Sequence, residues 1–215
     1  MLLKLQREEG QSIFVSSDYH FDHKNIIKYC ERPFDDARDF DCVDKMNQWI
    51  IENHNSLVKP NDWFIHIGDL VFGNDKIEKA KHFLSLLNGK KILLSGNHDK
   101  ECTADQIGAE IVCDYLELTV KVTNNCGHWG KPTFILFHYP ILQWNHKHHQ
   151  SIHLFGHSHG SLGKYEPSSS ILSDNRMMDV GIDTNNGFPY NLDNIYAKML
   201  LIHNKSYDHH NERTT

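Results

Sequence analysis

Two histidines set two apart and boxed by glycines, in GHSHG at 156–160, have the spacing that most directly suggests chemistry. In a strand His157 and His159 would point to one side. In a glycine-flanked loop the backbone can turn sharply enough to aim both rings inward. Packing alone is a poor reason for such a pair, because a buried neutral imidazole still needs partners for both nitrogens. Closely spaced imidazoles are a common way to hold a transition metal. By itself H-x-H is a weak signal. The chain has 17 histidines against 22 Lys and Arg, however, so the positions of the others carry information.

The elements that could position these residues follow from the apolar pattern. SIFVSSD (12–18) reads as a buried strand ending in an acid, and HKNIIKYC (23–30) as a short helix. DFDCVDKMNQWIIENHNSLV (39–58) reads as a long helix, with Val43, Met46, Trp49, Ile50 and Leu57 near helical spacing. KPND is a turn, WFIHIGD (63–69) a second strand, KIEKAKHFLSLLNG (76–89) a helix closed by Asn-Gly, and KKILLSGNHD (90–99) a third strand. YLELTVKVT (115–123), TFILFHYP (133–140), SIHLFGH (151–157) and MMDVGID (177–183) read as further strands, and LDNIYAKML (192–200) as a closing helix. EPSSS (166–170) reads as a loop and 205–215 as a frayed tail. No internal repeat is present, and 215 residues suit one domain, 1–215, with one sizeable core.

Composition narrows the function classes. The formal charge of −6, from 28 acids against 22 Lys and Arg, argues against a surface that coats nucleic acid, where a basic stripe is expected. Cys30, Cys42, Cys102, Cys113 and Cys126 are odd in number, scattered, and form no C-x-x-C. That points to free thiols in a reducing compartment, not to a disulfide framework. MLLKLQREEG has too short an apolar run for a signal peptide, and no stretch approaches the roughly 18 apolar residues of a membrane span. The expectation is a cytoplasmic protein with no membrane partner.

Each strand-like run ends in polar residues: Asp18-Tyr19-His20, Gly68-Asp69, Gly96-Asn97-His98-Asp99, His138, and His157-Ser158-His159. Ligands of α/β sheets collect in the crevice at the carboxyl ends of strands, so five strands delivering Asp, His and Asn to one edge would build a single site. An Asp or Asn capping the next helix explains any one of these clusters. It does not explain five, four of which contain His.

Asp18, His20, Asp69, Asn97, His138, His157 and His159 are seven side chains, too many for one first-row ion. Two ions sharing a carboxylate can use them all. Mixed imidazole and oxygen donors suit manganese, iron or zinc, and the lack of Cys argues against a closed structural zinc site. Two ions roughly 3.5–4 Å apart clamp a phosphoryl oxygen and lower the pKa of a bridging water, giving hydroxide at neutral pH. This is phosphoester hydrolysis chemistry, in which His157 and His159 stand two apart so that each serves one metal.

The ordered set D-x-H at 18–20, G-D at 68–69, G-N-H-D at 96–99, the lone His138 and G-H-x-H at 156–159 resembles the five motifs of the calcineurin-like metallophosphoesterase superfamily. The resemblance implies an α/β protein, a four-layer α/β/β/α sandwich with a dinuclear site at its mouth. It implies Asp18, His20 and His159 as ligands of a first metal, Asn97, His138 and His157 as ligands of a second, and Asp69 as the bridge. The implied cofactors are two divalent metal ions, manganese first, with iron, zinc or nickel as alternatives. His98 resembles the family's catalytic histidine, outside the metal shell, which protonates the leaving oxygen, and Asp99 would orient it. The residues support that role, since an alkoxide leaving group needs a proton donor, help that contributes typically ~10²–10⁴-fold. The alternative is a histidine that only holds its loop.

DYHFDHKNII (18–27) and VGIDTNNGFPYNLDNI (180–195) resemble a branch of small bacterial and phage phosphoesterases. In such a site His23 or Asn25 reaches the scissile phosphate; otherwise Phe21 packs while Asp22 and Asn25 cap the helix at 23–30. The NHKHHQ loop (145–150) is either solvated surface or an overhang of the site, and His66 and His153 read as hydrogen-bonded core histidines. Ser/Thr protein phosphatases read G-D-x-x-D-R-G, whose arginine grips phosphate. GDLVFG lacks it, which disfavours a phosphoprotein substrate. Recombination nucleases of the superfamily are longer and carry a DNA-capping domain. The expected substrate is therefore a small, nucleotide-like phosphodiester or phosphomonoester, with extended nucleic acid disfavoured. A nuclease acting on short nucleic acid stays open, as does a non-catalytic metal-binding scaffold for protein partners. The presence of His98 beside all seven ligands favours the enzyme.

Overall fold

Strands that are apolar without gaps need cover on both faces, and the computed structural model provides it. It describes residues 1–34, 42–123, 129–162, 172 and 175–205. Two five-stranded mixed sheets are formed. In the first, β2 (Ile13–Ser16), β3 (Trp63–Ile67), β4 (Lys90–Leu94) and β5 (Ile111–Cys113) run parallel, with β12 (Tyr190–Asn191) antiparallel at the β2 edge. The second has the order β1 (Leu2–Leu5), β6 (Tyr115–Val120), β9 (Thr133–Phe137), β10 (Ile152–Phe155), β11 (Met177–Asp179). Only its β6–β9 pair is antiparallel. A small ribbon joins β7 (Val122–Thr123) to β8 (Trp129–Gly130).

Alternation along each strand divides its side chains between two cores. Ile13, Val15, Ile65, Ile67, Ile92 and Leu94 meet Leu116, Leu118, Phe134, Leu136, Ile152 and Leu154 between the sheets. On the other face of the first sheet, Phe14, Phe64 and Leu93 pack under α1 (Lys24–Tyr29), α2 (Cys42–Leu57) and α3 (Lys76–Leu86). The outer face of the second sheet places Ile135, Phe155 and Met177 against Trp144. Trp144 precedes a 3₁₀ turn at Lys147–His149. α5 (Leu192–Met199) inserts Leu192, Ile195 and Met199 into the inter-sheet core, and the Asn191 side chain caps its N-terminus.

Most of the expected elements form, with shorter ends. The helix expected to run to Gly89 stops at Leu86, and Leu87 is already extended. β1, β5 and the four-residue α4 (Ala104–Ile107) were not anticipated, because each is too short to show a period. Residues 39–41, the loop expected at 166–170, Cys126 and residues 206–215 of the expected tail lie outside the described residues. Cys30, Cys42, Cys102 and Cys113 are free thiols. Among the described residues, no helix is long and apolar enough to cross a membrane.

Three core histidines make a stability prediction. His153 donates from Nδ1 to the Ile135 carbonyl (3.0 Å) and accepts the Ile141 N–H at Nε2 (3.3 Å), as expected of a core histidine. His54 accepts the Tyr19 hydroxyl at Nδ1 (3.0 Å) and donates to the Asn88 carbonyl (2.9 Å). His66 corrects the expectation: it is fully buried, its ring 4.8 Å from that of Tyr19, and neither nitrogen has a partner. Burial pushes His54 and His153 down to about 4 and His66 down to about 3. An unfolded imidazole titrates near ~6.5, so on acidification the unfolded chain takes up protons first. The stability from these rings is complete above ~6.5 and is lost as the pH falls toward their folded values. Each ring should cost about 2 kcal/mol at about pH 5. Urea midpoints measured with chelator at about pH 7.5 and about pH 5 should fall accordingly. A flat midpoint would mean the rings are not held neutral.

Candidate metal centre

The carboxyl ends of five strands, three from the first sheet and two from the second, meet at one edge. Loops after β2, β3 and β4 carry Asp18, His20, Asp69, Asn97, His98 and Asp99, and those after β9 and β10 carry His138, His157 and His159. The first two loops are zipped together: Asp18 N–H donates to the Gly68 carbonyl (3.0 Å), His20 N–H to that of Asp69 (3.0 Å) and Phe21 N–H to that of Leu70 (2.9 Å). Asp18, His20, Asp69, His157 and His159 all have φ between 46° and 67°. Non-glycine residues persist in this left-handed region where the surroundings over-determine them.

Close approach explains the flanking glycines. A Cβ at Gly156 would overlap Ser17 Oγ and Asp18 Oδ2, and one at Gly68, whose φ is +87°, would overlap His138 Nδ1. Gly156→Ala is expected to cost ~1–3 kcal/mol and to displace Asp18. Melting temperature and bound metal should fall together in this variant. Full metal content would show that the site does not need this approach.

The seven donors fall into two groups. Asp18, His20 and His159 can each place a ligand atom within 4.8 Å of the other two, and so can Asp69, His138 and His157. Asp69 Oδ2 faces both groups, 3.6 Å from His20 Nε2 and 3.4 Å from His138 Nε2. Asn97 Oδ1 joins the second group, 3.0 Å from His138 Nε2 and 2.9 Å from His157 Nδ1. Asp18 Oδ1 lies 3.9 Å from both His20 Nε2 and His159 Nε2. Two donors on one ion, each ~2.1 Å away, stand ~3.0–3.4 Å apart, so these spacings suit shared ions after a small inward shift.

Proton placement tests the fit more sharply. A carbonyl only accepts, so His138 Nδ1–H donates to Ile67 (2.8 Å). In the neutral ring the Nε2 lone pair then faces Asn97 Oδ1 and Asp69 Oδ2, acceptor against acceptors. His159 Nδ1–H donates to Asp183 Oδ2 (2.7 Å), which leaves its Nε2 lone pair toward Asp18. His20 Nε2 is buried with no hydrogen-bond partner. A divalent cation in each group would satisfy all of these acceptors, so the residues fit a metal pair.

Electrostatically the rings differ. Against the opposing effect of burial, Asp183 and Asp18 push His159 up to about 10 and Asp69 pushes His138 up, so both would release a proton on taking up an ion. Burial pushes the Asp18 carboxyl up to about 7, over the opposing pull of His159 and His138, and pushes His20 down to about 2. Burial would raise Asp69 as well, but His138 and the His98 N–H, 2.8 Å from Oδ1, hold it well below the usual carboxylate range.

A cleft of about 690 Å³ opens above the two groups, with His23, Asn25, Tyr29, Phe72 and His98 among its lining residues. The His98 ring lies 5.3 Å from His20 and 5.2 Å, edge-on, from Phe72, and belongs to neither ligand group. Asp99 does not face that ring as expected. Its oxygens accept the backbone N–H groups of Asp69 (2.7 Å), Gly96 (2.9 Å) and Leu70 (3.1 Å), clamping two ligand loops together. His23 is buried, stacked on Phe72 at 3.7 Å, with Nδ1 3.3 Å from His20 Nδ1. It braces His20 while lining the cleft. Phe21 packs, stacked on Phe83 at 4.1 Å, but α1 has no side-chain cap. Asp22 pairs instead with Asn47 (2.8 Å) and Lys79 (2.8 Å). The 145–150 loop does not line the cleft: Lys147 is buried, while His146, His148 and His149 are exposed.

Arg32, Asp179 and Asp183 were not anticipated. Asp179 Oδ2 accepts Ser158 Oγ–H (2.6 Å) and Gly160 N–H (2.8 Å), which fixes the GHSHG turn. The available signal was the run MMDVGID, which ends in acids much as the other site-bearing strands do. Cys30, His159 and Asp183 form a third close group. There, however, the Arg32 guanidinium takes both Asp183 oxygens (2.8 and 3.0 Å), so a cation would meet a fixed positive charge.

The fold is shared with a solved structure. That structure is the protein of unknown function AQ665 from Aquifex aeolicus, with a TM-score of 0.56 at 18% identity, covering 85% of this chain and 96% of that one. At that identity the likeness shows the fold alone. Over 90 residues the chain is 43% identical to the uncharacterized protein MJ1445 of Methanocaldococcus jannaschii, a match covering 42% of this chain and 48% of that protein. The match therefore spans about half the length of this curated relative. No family model matches the chain.

Proposed function

We propose that the protein is a metal-dependent phosphoric ester hydrolase of the calcineurin-like metallophosphoesterase superfamily, its two sheets being the centre of a four-layer α/β/β/α sandwich. The observation that carries this reading is the facing of acceptor atoms in two groups joined by Asp69 Oδ2. Asp18, His20 and His159 would hold one divalent ion, Asn97, His138 and His157 the other, and Asp69 both, with manganese first and iron, zinc or nickel as alternatives. When bound, such a pair clamps a phosphoryl oxygen and lowers the pKa of water. His98, in the cleft but outside both groups, donates the proton to the leaving oxygen. Its ring stands 5.2 Å from that of Phe72 and 6.2 Å from that of His23.

Among the described residues lining the cleft none is Lys or Arg, and a volume of about 690 Å³ suits a small ester. The substrate is a small phosphodiester or phosphomonoester of nucleotide-like size, and the free thiols support a reducing, cytoplasmic setting. A panel of nitrophenyl phosphate, bis-nitrophenyl phosphate, cyclic nucleotides and short oligonucleotides, assayed with added Mn²⁺, tests the reading. Turnover of the oligonucleotides alone would favour a nuclease. Two bound ions without turnover of any ester would favour a scaffold.

A further inference from the structure

We infer that Arg32 and Asp183 are a buried positioning pair that fixes His159 as a ligand, so that the two halves of the centre bind metal with unequal strength. The inference rests on the metal centre proposed above and adds a hierarchy within it. Arg32 is 3% exposed and all five of its N–H donors are used. Nε and Nη2 reach Asp183 Oδ1 (2.8 Å) and Oδ2 (3.0 Å). Nη2 also reaches the Asp18 carbonyl (2.8 Å), and Nη1 reaches the Tyr19 carbonyl (2.9 Å) and Met46 sulfur (3.3 Å). One side chain thus ties the backbone of the Asp18 loop to the carboxylate behind His159.

Asp183 is itself held. It lies in the 3₁₀ turn Ile182–Thr184, whose Ile182 N–H donates to the Ser17 carbonyl at 3.0 Å. Its Oδ2 then receives His159 Nδ1–H at 2.7 Å. A carboxylate behind a ligand histidine selects its tautomer, orients its ring and raises its basicity.

The other half lacks this device. His138 is backed by a neutral carbonyl, that of Ile67, at 2.8 Å. His157 is exposed, and its Nδ1 faces another donor of the same group, Asn97 Oδ1, at 2.9 Å. The half formed by Asp18, His20 and His159, the inner one, combines buried Asp18 with the shared Asp69. The outer half, formed by His138, His157 and Asn97, has a neutral amide in place of a second carboxylate. Greater negative charge, deeper burial and a braced histidine all favour the inner ion.

Metal-stripped protein titrated with Mn²⁺, followed by electron paramagnetic resonance and elemental analysis, should bind two ions in two resolved steps. Asp183→Asn, close in shape but free to present either a donor or an acceptor, should weaken the tighter step by ~10–100-fold. It should leave the weaker step in place and recover full occupancy in excess Mn²⁺. Arg32→Lys keeps the charge but loses the planar fork, and should weaken the same step. Two equal steps in the wild type, or an Asp183→Asn titration that shifts both steps alike or neither, would overturn the pair's role. Should Asp183→Asn not fold, the Arg32→Lys titration decides, and an unchanged tighter step overturns the inference. A wild-type protein that binds fewer than two ions would sink the metal centre itself, a separate failure.

Discussion

Asp69→Ala should empty both halves of the metal centre together and abolish most turnover. Asp69 Oδ2 lies against ring nitrogens of both groups, at 3.6 Å from His20 Nε2 and 3.4 Å from His138 Nε2. Losing a partner behind a ligand typically costs ~10–100-fold, and losing a shared ligand should exceed that. Asp69→Asn keeps an oxygen for the His98 N–H, now 2.8 Å away, and should fall between wild type and Asp69→Ala. Elemental analysis on protein with unchanged circular dichroism measures the effect. If Asp69→Ala retains two tightly bound ions, the ligand assignment is wrong.

His98→Ala should separate chemistry from metal binding. The ring lines the cleft and contributes to neither group of ligands. Both ions should therefore remain while turnover drops ~10²-fold or more. The deficit should be small for nitrophenyl esters, whose leaving group departs without a proton, and largest for alkyl or nucleoside leaving groups. Equal losses across the series would show that His98 positions substrate or stabilises charge instead. Asp99 accepts the N–H groups of Asp69, Gly96 and Leu70. Proton donation by His98 therefore has to be explained without a carboxylate behind the ring.

Much of this centre was legible in the sequence, for a chemical reason. Few side chains can hold a divalent cation, and here they follow short continuous apolar runs, which are a local property of the chain. Asp18, His20, Asp69, Asn97, His138, His157 and His159 could be named as polar residues that end apolar runs, whereas their division between two ions and the choice of Asp69 as bridge were implied by the resemblance to the metallophosphoesterase motifs. The main strands and helices were legible for the same reason, whereas α4 and β5 were too short to show a period.

Only the tertiary structure decided which strands belong to each of the two sheets that the resemblance implied, β2, β3 and β4 to the first and β9 and β10 to the second. It also decided the roles that depend on what lies opposite a side chain. Asp99 faces backbone N–H groups and not the ring beside it, His23 braces His20, and His66 has no partner. Arg32 and Asp183 meet across 151 residues of chain. No local spacing encodes such contacts, because which polar groups face one another is set by how the sheets and loops pack, and packing is a property of the whole chain.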